Sequence, residues 1–452
     1  MGHTFRRLLP MAACGLRLTL VTAACGLLGA CGIGDWFTSA PPNKLPGKRI
    51  AILSHTNTLD VEPATQGDIL VPPPERLTEW PQEGGYASHS MQNKALSEHP
   101  HPVWTVHLDE GGDKRRAFVS QPIVAMDKVY ALDSLSILTA YNLSDGERLW
   151  RVDLGPDEAG GGSFGGGAAY DEGKLYVTTG YAQVVALNPE TGAELWRKPL
   201  PAPVRGAPTV KNGRLVMVTV DNEAIALSAE DGHQLWRHSG ISEVASLVGA
   251  PSPAIEGNTV VVPYTSGEIF ALRIENGTVE WSDVLAAVKR TDQVAELSDI
   301  GGLPVIDRGH VYAAGNSDVF AAIDLRSGRR LWDKDVGAVH TPWVAGEYLY
   351  LMTNNQQLAC FEARTGHVRW VHQFRAWEDE EDKSNRISWS GPIMAGGRLL
   401  VTSSYGDMVM VSPTTGDVIS TEELPDGVSI PPIISGDTML LLTEDGFLIA
   451  YR

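Results

Sequence analysis

Tryptophan spacing, strand-length apolar alternation and an unfinished last repeat together predict an all-β fold, an eight-bladed β-propeller of four-stranded antiparallel blades closed by an N-terminal strand. Six glycines each precede a tryptophan by four residues: Gly146/Trp150, Gly192/Trp196, Gly232/Trp236, Gly277/Trp281, Gly328/Trp332 and Gly366/Trp370. Successive tryptophans lie 46, 40, 45, 51 and 38 residues apart, a period that suits a four-stranded blade and exceeds a leucine-rich or ankyrin unit. A seventh unit keeps Thr415 and Gly416 but has Ser420 at the tryptophan position.

Each unit reads strand, turn, strand, turn, strand. Residues 173–180, 183–187 and 191–196 show it: Val, Tyr and Leu alternate with small or polar residues over five to seven positions, the period-two signal of half-buried strands. Thr-Gly or Asp-Gly pairs fall between such runs, where a tight hairpin needs positive φ. A twisted sheet cannot bury both faces alone, so neighbouring blades stack and a large indole fills the gap near the rim. Trp104, Trp150, Trp196, Trp236, Trp281, Trp332 and Trp370 are therefore expected to be structural. The alternative is a set of aromatic platforms for a sugar or planar cofactor.

The units run over residues 117–150, 164–196, 207–236, 251–281, 303–332, 342–370 and 390–420, and an eighth begins at Pro431. That eighth unit stops at Arg452 without its fourth strand. Residues 103–108 resemble 149–154 but have no preceding blade. An N-terminal strand that completes the last blade closes the ring and removes free sheet edges.

Three segments follow: a signal peptide at 1–30, a tether with a partly ordered lead-in at 31–101, and the propeller at 102–452. Arg6 and Arg7 precede an apolar stretch ending in Leu-Gly-Ala before Cys31, the pattern of an export signal. The sequence around Cys31 resembles a bacterial lipobox, which makes Cys31 the expected lipid attachment site. An ordinary signal peptide is the alternative, and Cys25 is a second candidate. Gly32 in place of Asp favours the outer membrane over inner-membrane retention. Several acyl chains hold firmly where one binds only marginally. The lead-in is proline-rich and polar, with a possible strand at 49–53.

Removing three arginines with residues 1–30 leaves 33 basic against 55 acidic residues, a formal charge of −22. Such a surface argues against a nucleic-acid partner and for solubility or a basic protein partner. After the signal and Cys31, only Cys360 remains, so no intrachain disulfide is expected. It is read as a buried, inert thiol.

The repeats resemble those of pyrroloquinoline-quinone enzymes. Residues 290–304, followed by 321–328 and by Leu331 and Trp332, resemble the BamB family of outer-membrane β-barrel assembly lipoproteins. Residues 80–85 look like its alphaproteobacterial branch. The resemblance implies a non-enzymatic scaffold without a cofactor, lipid-anchored on the periplasmic side of the outer membrane. It implies binding to the POTRA region of a BamA-like barrel-forming subunit, with unfolded outer-membrane proteins as further partners. The family's contacts map onto Leu247, Val248, Leu297, Ser298 and Asp299. Val248 stands where the pattern has Arg, and Gly301 replaces a second acid. Asp299 is either an exposed acceptor for a basic partner or a turn cap, and Leu297 is either a contact or blade core.

Rival functions have specific requirements. A quinoprotein dehydrogenase needs a calcium cage and, in many cases, a vicinal disulfide, and the chain has no Cys-Cys pair. A ligand-sensing propeller needs exposed loop aromatics, for which Trp343, Trp377 and Trp389 qualify. The glycine-rich residues 160–167 lack the following Lys-Ser or Lys-Thr of a phosphate cradle and read as a connecting loop. The acidic run 378–382 reads as a solvated, mobile loop or a recruiter of a basic partner. His99, His101 and His107 crowd the lead-in without a metal-ligand pattern, so no metal site is expected. No Ser, His and Asp set suggests nucleophilic catalysis.

Overall fold

A computed structural model describes residues 59–62, 67–108, 120–156, 165–204, 206–242, 251–286 and 299–452. These lie in one compact unit, Thr56–Arg452. Their strands form eight four-stranded antiparallel sheets and one two-stranded hairpin, and no helix occurs among the described residues. Blade 1 contains Ile123–Ala125, Lys128–Leu132, Ile137–Asn142 and Arg148–Asp153. Blades 2 to 7 repeat this order over residues 166–199, 209–239, 254–284, 305–334, 343–373 and 389–423. Blade 8 joins Ile433–Ser435, Thr438–Leu442 and Phe447–Tyr451 to the N-terminal strand Pro102–His107. Trp104 faces Ala450 and His107 faces Phe447, so the expected closure is present.

Middle strands are almost wholly buried, whereas fourth strands alternate. At the same place in every blade the fourth-strand pairing skips one residue, immediately before the tryptophan position. Ala140 opposes Trp150 and Tyr141 opposes Arg148, leaving Leu149 unpaired. In the closing blade, Val103 is skipped in the same way. A bulge re-aims the next side chain. Leu149, Leu195 and Ile419 therefore point to solvent while the following residue turns inward, which explains the recurrent Leu-Trp pair.

The inward indole presses on the next blade's turn glycine. A Cβ on Gly146, Gly192, Gly232, Gly277, Gly328, Gly366 or Gly416 would sit between 2.5 and 2.9 Å from the preceding blade's indole or, at Gly232, from Lys198 beside it. These glycines have φ between 69° and 78°, so backbone conformation and close approach both select glycine. Six indole nitrogens also donate across the junction at 2.6 to 3.0 Å, to the carbonyls of Leu143, Pro189, Ile274, Leu325, Ala363 and Pro413. Trp196 is the exception, its buried nitrogen lacking a partner. Cys360 is buried in a middle strand of blade 6, and burial raises its thiol pKa.

Two expectations are corrected here. Trp343 and Trp389 are buried in first strands at 7% and 3% exposure, donating to the carbonyls of Gln92 and Arg375, which leaves only Trp377 partly open. The acidic run is exposed, as a solvated segment should be, but it belongs to a paired hairpin, Trp377–Asp379 with Ser384–Arg386, instead of a loop. Glu380 caps the amides of Ala376 and Trp377, and Asp379 caps those of Glu381 and Asp382. The possible strand at 49–53 lies outside the described residues.

Candidate functional site: the central channel and its two ends

Residues 77–94 wind around the first strands of all eight blades in order. The Ser435 hydroxyl of blade 8 donates to Thr78 at 2.7 Å. Trp80 then exchanges two 2.8 Å backbone bonds with Val124 of blade 1. Pro81 accepts from Tyr170 of blade 2 at 2.7 Å, and the Gln82 amide makes two 2.9 Å bonds to the Val210 backbone of blade 3. Ala87 and Ser88 accept from Ile255 and Ile306 of blades 4 and 5 at 2.6 and 2.8 Å. Gln92 accepts from Gly346 of blade 6 at 2.9 Å, and Lys94 donates to Met394 of blade 7 at 3.1 Å. The boundary expected at 101/102 therefore cuts through one hydrogen-bonded body.

Unpaired backbone in a buried channel is costly. The strap satisfies amides at first strands, where no further blade strand exists to do so. Its apolar anchors are Trp80 and Met91, each 1% exposed. Lys94 is 3% exposed, with Glu75 3.6 Å from its ammonium, and burial lowers its pKa despite that carboxylate.

Trp80, Glu83, Gly84 and His89 line a central cavity of about 510 Å³ with residues near the start of several first strands, including Gln121, Pro251, Leu303 and Pro431. His89 Nδ1 lies 2.7 Å from the Pro304 carbonyl; a carbonyl only accepts, so Nδ1 carries the proton. Burial pushes this imidazole down to about 4, and the same cause brings His340 to about 4. Burial raises the Glu83 carboxyl above its usual range, opposed by hydrogen bonds from the Ser252 hydroxyl and the Ala207 amide. Both histidines are thus neutral at pH 7, and Glu83 is the one carboxyl group among the described residues lining the cavity. Among the described residues, no group of three or more His, Cys, Asp or Glu is placed to hold a metal ion. His99, His101 and His107 are exposed.

Asp299 stands where a blade connection rejoins the fold. It is 2% exposed, and its carbonyl accepts from the Asn316 amide at 2.8 Å. Ile300 beside it enters the core of blades 4 and 5. The carboxylate is therefore buried, which disagrees with the exposed acceptor, one of the two readings of this residue, and leaves the turn cap as the other. Burial follows because Ile300 pulls the chain into the blade junction. Leu247, Val248, Leu297, Ser298 and Cys31 lie outside the described residues.

Sequence reading missed Gln82, Glu83, His89, Gln92 and Lys94. Their partners lie up to 301 positions away, as Lys94 and Ala395 do, and the segment has no repeat period. Its available signal is local: Leu77, Trp80 and Met91 are large apolar residues spaced through a mostly polar stretch over residues 77–94.

A family model described as outer membrane protein assembly factor BamB matches residues 134–372 and 375–452. The outer membrane protein assembly factor BamB of Salmonella typhimurium is 30% identical over 358 residues, covering 78% of this chain and 88% of the relative. Its Escherichia coli counterpart is 31% identical over 330 residues, covering 72% and 82%. The crystal structure of BamB from Moraxella catarrhalis superposes with a TM-score of 0.66 at 18% identity, covering 78% of this chain and 100% of that one. A quinohemoprotein alcohol dehydrogenase from Comamonas testosteroni reaches 0.65 at 14% identity, covering 83% and 81%. At these identities the structural likenesses establish the fold alone.

Proposed function

The chain belongs to the outer membrane protein assembly factor BamB family, and from that membership we propose that it is a non-enzymatic scaffold of the outer-membrane β-barrel assembly machinery. Anchored through Cys31 on the periplasmic side, the disc binds the POTRA region of a BamA-like subunit. The contact is made by the loops carrying Leu247 and Val248 and Leu297 and Ser298, with Asp299 at the second loop's root. The observation that carries the scaffold reading is the strap: Trp80, Glu83 and His89 build the cavity wall from the chain's own lead-in. A propeller bound internally at each blade suits rigid positioning of loops.

Detergent extracts of outer membranes test the contact. Wild-type protein should retain the barrel-forming subunit in a pull-down, and Leu297→Arg or Leu247→Arg should lose most of it while keeping the thermal transition. Retention by both variants would reject these loops. Labelled palmitate should enter wild type and Cys25→Ser but not Cys31→Ser. Purified protein supplied with quinone and calcium should reduce no dye, and turnover would reinstate the dehydrogenase reading.

A further inference from the structure

The groove between blades 4 and 5 gathers basic side chains at positions that several other blades fill with Glu or Asn. Two residues before the turn glycine, blades 2, 3 and 4 have Glu190, Glu230 and Glu275, whereas blades 5 and 6 have Arg326 and Arg364, and it is Arg326 that further arginines join in the same groove. In the first turn, blade 5 has Arg308 where blade 2 has Glu172. Eight residues before the indole, blades 1 and 2 have Asn142 and Asn188, whereas blade 4 has Arg273. These three arginines and His310 line one groove of about 760 Å³. They stand together on a protein of formal charge −19.

Nearby acids are already engaged. Glu280 accepts from Thr259 at 2.9 Å and lies 3.6 Å from Arg273. Asp324 accepts from the Ser327 amide and hydroxyl at 2.8 and 2.6 Å. Asp307 accepts from Ser90 and Gln92 and lies 3.5 Å from Arg308, which also pairs with Glu347. Arg326 is exposed and has no acidic partner among the described residues.

An internal comparison indicates what such a groove holds. Between blades 6 and 7, the corresponding groove is lined by Arg369, Thr414 and Thr415 and receives the chain's own residues at 61–62 and 67–69. There the Glu62 amide donates to the Val368 carbonyl at 3.1 Å, and the Arg369 guanidinium donates to the Gly67 carbonyl. Val279 occupies the Val368 position in the blade 4/5 groove, two residues before the indole, and is 44% exposed.

We infer that the blade 4/5 groove binds an extended acidic peptide segment of a partner protein along the Val279–Val284 strand, with Arg326 and Arg273 receiving its carboxylates. This goes beyond the loop contacts of the scaffold reading and does not depend on them. The groove supplies strand-edge geometry for the backbone and fork-shaped donors for the side chains.

Fluorescence anisotropy with a fluorescein-labelled peptide of alternating Val and Glu tests the inference, with a Val and Lys peptide as comparison. The acidic peptide should bind wild type, weaken with salt and lose about tenfold affinity on Arg326→Glu, a change near 1.4 kcal/mol. Arg326→Lys should retain most binding, and Arg364→Glu, at the equivalent turn of blade 6, should leave it unchanged. Equal binding of the basic peptide, equal loss with Arg364→Glu, or no acidic-peptide binding would overturn the inference. So would Arg326-dependent binding to phosphatidylglycerol vesicles without peptide binding, which would make the groove a lipid-headgroup site.

Discussion

Seven blade junctions carry an indole against the next blade's turn glycine, and the junction between blades 7 and 8 does not. The difference follows from chain path. Blade 8 takes its fourth strand from residues 102–107, so no continuous hairpin, and no turn glycine, joins its third and fourth strands. Ser420 stands where an indole would have no receiver. Here the lead-in crosses instead: Gly396 donates to the Lys94 carbonyl at 2.7 Å, and Arg398 donates to the carbonyls of Ser97 and Glu98. His101 and Arg452 then exchange backbone bonds of 2.9 and 3.0 Å beside the open end. A repeated junction uses a repeated wedge, whereas the seam is held by the chain's two ends.

Removing the seam should have the largest effect. A chain beginning after Leu108 lacks both strap and closing strand, exposing the Phe447–Tyr451 edge and eight first strands. It should lose its cooperative thermal transition, read by circular dichroism, and elute as aggregate. The truncation also removes Trp104, and a sharp transition near the wild-type temperature would show that the six remaining wedged junctions suffice. Trp281→Ala comes next, with an expected loss of roughly 3–5 kcal/mol in denaturant unfolding for a large buried aromatic. Gly328→Ala probes the same junction from the other side. Its Cβ would lie 2.5 Å from Trp281 at φ +69°, so about 1–3 kcal/mol should be lost.

The strap has a pH signature that the wedged junctions lack. His89 is neutral in the fold with its pKa lowered from 6.5 to about 4, so the unfolded chain binds more protons between those values. Stability should fall as pH drops from 6.5 towards 4 and level off below. Glu83, with its carboxyl raised from 4.5, contributes oppositely and costs stability as pH rises above that value. Melting temperatures across this range should depend less steeply on pH in His89→Gln, with His340 supplying the remaining slope, and an unchanged slope would remove His89 as a cause. The smallest effect is expected for Ser420→Trp, within about 0.5 kcal/mol because no turn glycine receives the indole. A clear gain there would mean that the seam has room for a wedge and that the comparison is drawn too sharply.

Fold and site were legible to different extents. Trp150 through Trp370, their glycines and the missing fourth strand of blade 8 all repeat in local sequence, so blade number and closure were readable. Bulged Leu149 and Leu195 were visible as a Leu-Trp pair, although the reason for the pairing was not. The burial of Asp299 was not legible in its motif, because Ile300 beside it packs into the core shared by blades 4 and 5. Trp343 and Trp389 sit outside the Gly-Trp spacing and were taken for loop aromatics, yet each lies in a first strand.

Local alternation, turn chemistry and a fixed Gly-to-Trp offset by themselves determined an eight-bladed ring closed by its own N-terminal strand, since each is written within one repeat. Tertiary structure alone decided that residues 77–94 circle the channel and that blade 5 turns its arginines into a shared groove. Those outcomes depend on hydrogen bonds and charges from separate blades meeting in space, at separations no periodic pattern encodes.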